Sequence, residues 1–225
     1  MLRRCGLVLL SRVAGVRVKF MQIRSKGDET AVEFKSRKQT LPLTRNALEK
    51  LFPRGNALCD GAMGTMLYAR GISTQYCSDE LNLSQPEPVS AIHSQYLQAG
   101  AEIIETNTFG ANGVRLRQHG LVDRMSEINR AAVRIARDCV ARSAEKLGMT
   151  AYVAGAVGPL GMRPGKAGID EAHEVFAGQI RELARGGPGI GVDLLMIETM
   201  TSLAEAGEAI RAARAVAPEL PLGTR

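Results

Sequence analysis

The sequence contains no tryptophan, and only 4% of it is aromatic. That excludes the aromatic base-stacking platform on which single-strand nucleic-acid binders rely. Cysteine is scarce too: Cys5, Cys59, Cys77 and Cys139 are widely spaced, with no C-x-x-C pair among them. This spacing argues against a zinc knuckle and against a disulfide framework, and it fits a reducing, cytoplasmic setting. No apolar run reaches the roughly 18 residues that would read as a membrane span. There are three histidines. His93 and His173 fall in helical stretches and His119 near a glycine-containing turn, positions that favour structural roles over those of a base or ligand.

Acid is missing from the start of the chain, where none precedes Asp28. Residues 1–54 hold 13 Lys/Arg against 4 Asp/Glu, while residues 55–225 hold 16 against 19. The formal net charge of +6 therefore belongs to an N-terminal extension, and the body is mildly acidic. A nucleic-acid footprint needs a basic face on the folded domain, and the body carries no such cluster. The Arg-rich, acid-free segment has the composition of a mitochondrial transit peptide. It reads equally as sequence upstream of a start at Met21. The division expected is a basic extension over 1–42 without fixed structure, and a domain over 43–225.

From residue 57 the pattern alternates. Short apolar runs at "ALCDG", "AEIIETNTFG", "AYVAGAVGPLG" and "VDLLMIETM" are each followed by a helical stretch, and "LPLGT" opens a fifth strand near Leu220. Ser84 with Glu87 three residues on predicts a capping box for the helix that Gly100 ends. A second helix should run over Ile128–Cys139 to Gly148, a third from about Ile169 to Ala184, and a fourth should start near Ser202. Strands alternating with helices imply a parallel sheet with right-handed crossovers. Polar residues gather where the strands end: Asp60, Glu105-Thr106-Asn107-Thr108, Gly158-Pro159 and Glu198-Thr199. Both a (β/α)8 barrel and a doubly wound sheet place their sites at those ends.

"GGPGIG" at 186–191 resembles a dinucleotide loop but follows a helix and precedes a strand, the reverse of what that motif needs. Cys59, next to Asp60, should face the other side of its strand as a packed thiol. Cys77 lies in a loop, and Cys139 falls on a helix's apolar stripe. Asp60, Glu105 and Glu198 are three acids at strand ends, and a buried carboxylate without a partner costs several kcal/mol. Each could cap a turn or pair with an arginine. Together they would make an acidic mouth suited to a cation or an ammonium group. A Schiff-base aldolase would need a strand-end lysine, and no candidate strand has one.

The segments "DGAMGTML", "DELNLSQPE", "IHSQYLQAGAEIIETNTFGAN", "EIN", "VAGAVGPLG" and "DLLMIET", in that order, resemble the homocysteine-binding domain of homocysteine S-methyltransferases. The resemblance covers residues 43–225 and is nearest to bacterial proteins that join this domain to a methylenetetrahydrofolate reductase. It implies an α/β fold, here the N-terminal half of a (β/α)8 barrel, open because the chain ends near strand 5. It implies methyl transfer from a donor to the homocysteine thiol to give methionine. Asp60 and Glu198 would hold the substrate's amino group, with Gly61 and Ala62 lending close backbone contacts. It also implies a zinc ion held by three cysteines beyond the sixth and eighth strands. None of the four cysteines here matches them, so no metal ligand is assigned, and no catalytic residue either. Three readings stay open: the methyltransferase, a non-catalytic truncated fragment, or another barrel enzyme using the strand-end carboxylates. An open half-barrel is expected to expose the inward side chains of "LLMI" at 194–197 and to self-associate.

Overall fold

The computed structural model describes residues 7–13, 16–22 and 57–224, apart from 74, 149, 162–168 and 188. The chain divides into two units, Met1–Asn56 and Ala57–Arg225. In the first, strands β1 (Leu7–Val13) and β2 (Val16–Gln22) pair antiparallel, from Leu7 opposite Gln22 to Val13 opposite Val16. β1 carries Val8 and Val13, and β2 carries Val16, Val18 and Phe20, residue types that suit extended backbone. The described part of the extension is thus an antiparallel hairpin. The boundary expected at 42/43 and Cys5 lie outside the described residues.

The second unit opens with Cys59 bridged in parallel to Ile103. A short helix α1 (Met63–Tyr68) follows, then a 3-10 turn (Ser78–Glu80) running into α2 (Leu81–Ser84) and α3 (Pro86–Gln98). Strand β3 (Ile103–Glu105) leads to α4 (Gly113–Arg117), a 3-10 turn (Val122–Arg124) and the long α5 (Met125–Leu147). Then come β4 (Tyr152–Val157), α6 (Ile169–Ala184), β5 (Leu194–Ile197), α7 (Leu203–Val216) and β6 (Leu222–Thr224). The sheet order is β3-β4-β5-β6, all parallel, with residues 58–60 added beside β3. This is the strand order of the N-terminal half of a (β/α)8 barrel.

The long helices stop where the sequence says they should. α3 gives way to Gly100 at φ +97, and α5 ends on Gly148 at φ +64, a left-handed conformation that glycine adopts without a Cβ penalty. Ser202 caps α7, its hydroxyl accepting from Glu205 N at 3.5 Å. The capping box at Ser84 does not form. Gln85 stands at the N-cap of α3, and Ser84, as the last residue of α2, donates instead to Glu80 Oε2 at 2.6 Å.

Strands β3 and β5 are buried at every position, as parallel strands covered on both faces should be. Leu195 and Ile197 of β5 belong to the main core with Phe176, Ile180 and Leu183 of α6 and Ala209, Ala212 and Ala213 of α7. The expected exposure of residues 194–197 is not observed: all four are 3% exposed or less. Part of the reason is visible at β6. A Cβ on Gly223 would stand 2.9 Å from the Met196 sulfur, so the absent side chain lets Met196 lie down across the neighbouring strand. Cys59 also departs from expectation, being partly exposed. It is bridged to Ile103 beside β3 at the edge of the described sheet, where a strand is less enclosed than a central one.

The bases of the strands are tied together by one cluster. Arg137 of α5 donates through Nη1 and Nη2 to the two oxygens of Asp193, each at 2.8 Å, and its Nε donates to Gly191 O at 2.8 Å. Asp193 Oδ2 also accepts from Val153 N at 2.8 Å. The glycine-rich stretch at 186–191 is therefore the turn into β5 at the sheet's base, as its order in the sequence indicates.

Candidate active site at the strand tips

Asp60 follows Cys59 at the tip of the first strand. Its backbone N donates to Ile103 O at 2.9 Å, and its Oδ2 accepts from Glu105 N at 3.0 Å. The carboxylate thus bridges two neighbouring strand ends. Gly61 and Ala62 form the exposed turn beyond it. A Cβ at Gly61 would meet Tyr96 Oη at 2.8 Å, and the same hydroxyl donates to Ala62 O at 3.4 Å. A side chain at 61 would therefore have to displace the phenol of α3 that packs beneath the turn. Burial, then the Asp60 charge, push the Tyr96 hydroxyl pKa up, and Arg70 acts against them.

Glu105 ends β3 and is buried. Glu198 follows β5, and it too is buried, at 6% exposure. Its backbone N donates to Val157 O at 3.1 Å, which extends the ladder by one rung. Because β4 lies between β3 and β5, Glu198 stands two strands from Glu105 along the same edge. All three acids singled out from the sequence are thus at one end of the sheet, with Asp60 and Glu105 directly linked. Thr199, next after Glu198, has φ +59 and is the one non-glycine residue with positive φ among the described residues.

The loop after β3 is held by side chains that local sequence patterns do not reveal. Asn82 Nδ2 donates to Asn107 O at 2.8 Å, while Asn107 Nδ2 donates to Ser78 O at 2.7 Å and to Asn82 Oδ1 at 3.2 Å. Asp79 Oδ1 accepts from Gly110 N at 2.9 Å. Burial raises the Asp79 pKa, opposed by that amide, its own backbone and Arg115. Thr106 Oγ1 accepts from Ala156 N at 3.1 Å, Thr108 Oγ1 donates to Ala156 O at 2.8 Å, and Gln179 Nε2 of α6 donates to Thr108 O at 2.7 Å. Gly158 closes against this loop: its N donates to Phe109 O at 3.2 Å, and a Cβ there would lie 2.5 Å from that oxygen.

The remaining candidates lie elsewhere. Cys77 and His119 line a separate cavity of about 540 Å³ with Tyr76, Glu80 and Leu121, and none of Asp60, Gly61, Ala62 or Glu198 lines it. Burial, then the charge of Asp79, raise the Cys77 pKa, so its thiol is held in the protonated form. Cys139 is buried between α3 and α5, near Ser90 and Arg142. His93 is fully buried in α3, and its two ring nitrogens have no hydrogen-bond partner among the described residues. His173 faces Glu208 at 3.5 Å. Among the described residues no three His, Cys, Asp or Glu side chains come together as a metal site, and no helix is long and apolar enough to cross a membrane.

A parallel α/β sheet in barrel order, with buried carboxylates gathered at its C-terminal edge, defines a barrel-type domain whose site is at the strand tips. The sequence model of the homocysteine S-methyltransferase family matches residues 57–223, and the chain belongs to that family. Methionine synthase of Mycobacterium tuberculosis is 33% identical over 164 residues, which are 69% of this chain and 13% of that protein. The metallated form of the Escherichia coli homocysteine methyltransferase MmuM superposes with a TM-score of 0.69 at 24% identity. That match covers 79% of this chain and 65% of the other. The apo form gives 0.60 at 25% identity, covering 79% and 62%. The chain thus spans about two thirds of the bacterial enzyme and a small part of methionine synthase.

Proposed function

We propose that this chain binds homocysteine at its strand tips and serves methyl transfer to the homocysteine sulfur. The observation that carries the reading is the pair of acids at strand ends, Asp60 bridged to the end of β3 and Glu198 buried after β5, within a stretch matched by the family. Carboxylates in a partly desolvated setting hold an ammonium group through charge-assisted hydrogen bonds. Asp60 and Glu198 would take the α-amino group, and the exposed Gly61–Ala62 turn would offer backbone contacts to the rest of the substrate. In the transfer the sulfur–methyl bond forms as the donor–methyl bond breaks, and the thiol proton is lost.

Zinc, which the resemblance implies, would lower the thiol pKa when bound. The described residues do not fit it: Cys59 is at a strand edge, Cys77 in a loop and Cys139 between two helices, and no donor set converges. The role drawn for this chain's own residues is therefore capture and orientation of the amino acid.

Calorimetric titration of the full chain with L-homocysteine tests the reading. Asp60→Asn and Glu198→Gln should each weaken binding about tenfold, near the lower end of what a hydrogen bond to a charged group is worth. 4-Mercaptobutyrate, which lacks the amino group, should be indifferent to both substitutions. No binding by the wild-type chain, or binding by both variants as tight as that of wild type, would overturn the proposal.

A further inference from the structure

Thr199 stands in a conformation that β-branched residues rarely adopt, with φ +59. Such a residue is strained, because its Cβ crowds the following carbonyl. Its side chain is exposed and makes no hydrogen bond among the described residues, so no hydrogen bond of its own to them offsets the strain. Strained residues of this kind persist where the surrounding structure over-determines them, and they cluster at functional sites.

The neighbours on either side say what is over-determined. Glu198 N is still paired to Val157 O at 3.1 Å, so the ladder runs up to the acid itself. Ser202 already caps α7, and Met200 packs against the main core. The chain must therefore leave the sheet, reverse and enter α7 within Thr199–Thr201, and the left-handed residue makes that reversal directly beyond Glu198. We infer that Thr199 is a positioning residue: its left-handed backbone fixes the direction in which Glu198 leaves β5, and so sets the carboxylate for a substrate ammonium. The inference rests on the homocysteine reading for the identity of that ammonium, but its structural part concerns Glu198 alone.

The experiment uses the full chain and two substitutions. Thr199→Gly removes the strain and frees the backbone; Thr199→Asn keeps a side chain while tolerating the left-handed region. Thr199→Gly should raise Tm by about 2 °C and weaken L-homocysteine binding about tenfold. Thr199→Asn should bind within about twofold of wild type, since Asn holds the conformation that Gly releases. Opposite movement of stability and affinity is the signature, because a residue that merely braced the fold would move both the same way. Unchanged affinity in Thr199→Gly, or no gain in Tm, would overturn the inference. If the wild-type chain binds no homocysteine, the pocket reading fails and the decision passes to the ligand-free protein. Side-chain couplings of isotopically labelled Glu198 should then show rotamer averaging in Thr199→Gly and a single rotamer in wild type. Identical couplings would overturn the positioning role.

Discussion

The loop after β3 and the turn after β5 each carry a carboxylate out of the sheet, and they do so by opposite means. Beyond Glu105 the chain is enclosed by partners from four other segments: Asp79, Asn82, Ala156 and Gln179 all hydrogen-bond to residues between Thr106 and Gly110. Beyond Glu198 the backbone bends through one strained, exposed threonine, with Ser202 as the next anchor. Rigidity is distributed over many buried polar groups in the first case and concentrated in one dihedral angle in the second. A buried network fails when any member loses its partner, because each remaining polar group then bears its desolvation cost. A single strained residue can be relieved without harm to stability, and what suffers is aim.

The largest test of this contrast is Gly158→Ala. A Cβ there meets backbone oxygen at 2.5 Å and the Phe109 ring at 2.6 Å, so either β4 or the β3 loop must shift. A loss of about 3 kcal/mol is expected, at the upper end of ordinary overpacking, and chemical denaturation would measure it. A loss under about 0.5 kcal/mol, the range of neutral surface changes, would mean the loop is softer than its hydrogen bonds indicate. Next in size is Asn82→Ala, which strips the reciprocal amide pair and leaves Asn107 O buried. About 2 kcal/mol should be lost, and Asn82→Asp should recover little of it, since a carboxylate cannot donate to that carbonyl. An Asn82→Ala variant as stable as wild type would show that the clamp contributes nothing net.

Similar in size is an effect of pH that starts outside both loops, at the buried imidazole of His93. Burial lowers its pKa from 6.5 to about 4, so between those values the unfolded chain binds a proton that the folded chain does not. Stability then rises with pH across that window and falls on acidification. From pH 7 to pH 5 the imidazole should contribute a loss of about 2 kcal/mol. Asp79, raised by burial, acts in the opposite sense, because the folded state holds its proton more firmly as pH falls. The difference between wild type and His93→Leu isolates the imidazole; parallel curves for the two would remove it as the cause.

Much of the fold was legible because buried parallel strands read as continuous apolar runs. "LLMI" and "YVAGAV" are strands where the alternation of short runs and amphipathic stretches put them. The helix at 169–184 was bounded correctly at both ends. Helices α1 and α2 were not visible, since six and four residues carry too little periodicity, and α1 and α2 are held by the small cluster of Leu67, Leu81, Val89 and Ile92. The capping box at Ser84 misled because a second helix ends on that residue, a fact no local spacing contains. The strand-end acids could be read from their position after apolar runs. The Asn82–Asn107 pair and the reach of Gln179 to Thr108 join residues 25 and 71 apart in sequence, and neither end signals the other. The strain at Thr199 left no compositional trace at all, since glycine or asparagine is what a reader would look for at such a turn.

The salt bridge at the base of the sheet bears on how the chain finds its register. Strands β4 and β5 are both apolar and nearly featureless, so sliding one against the other by two residues would keep every side chain on its own face. They must also meet across some 40 residues of intervening chain, a closure that is slow for parallel pairing. Asp193 breaks the degeneracy. It accepts the Val153 amide while Arg137 holds both its oxygens, and a two-residue slip would bring to that amide Leu195, whose side chain has no acceptor to offer. Arg137 and Asp193 thus act as a ratchet tooth for the growing sheet, admitting one alignment of two strands whose hydrophobic surfaces would accept several.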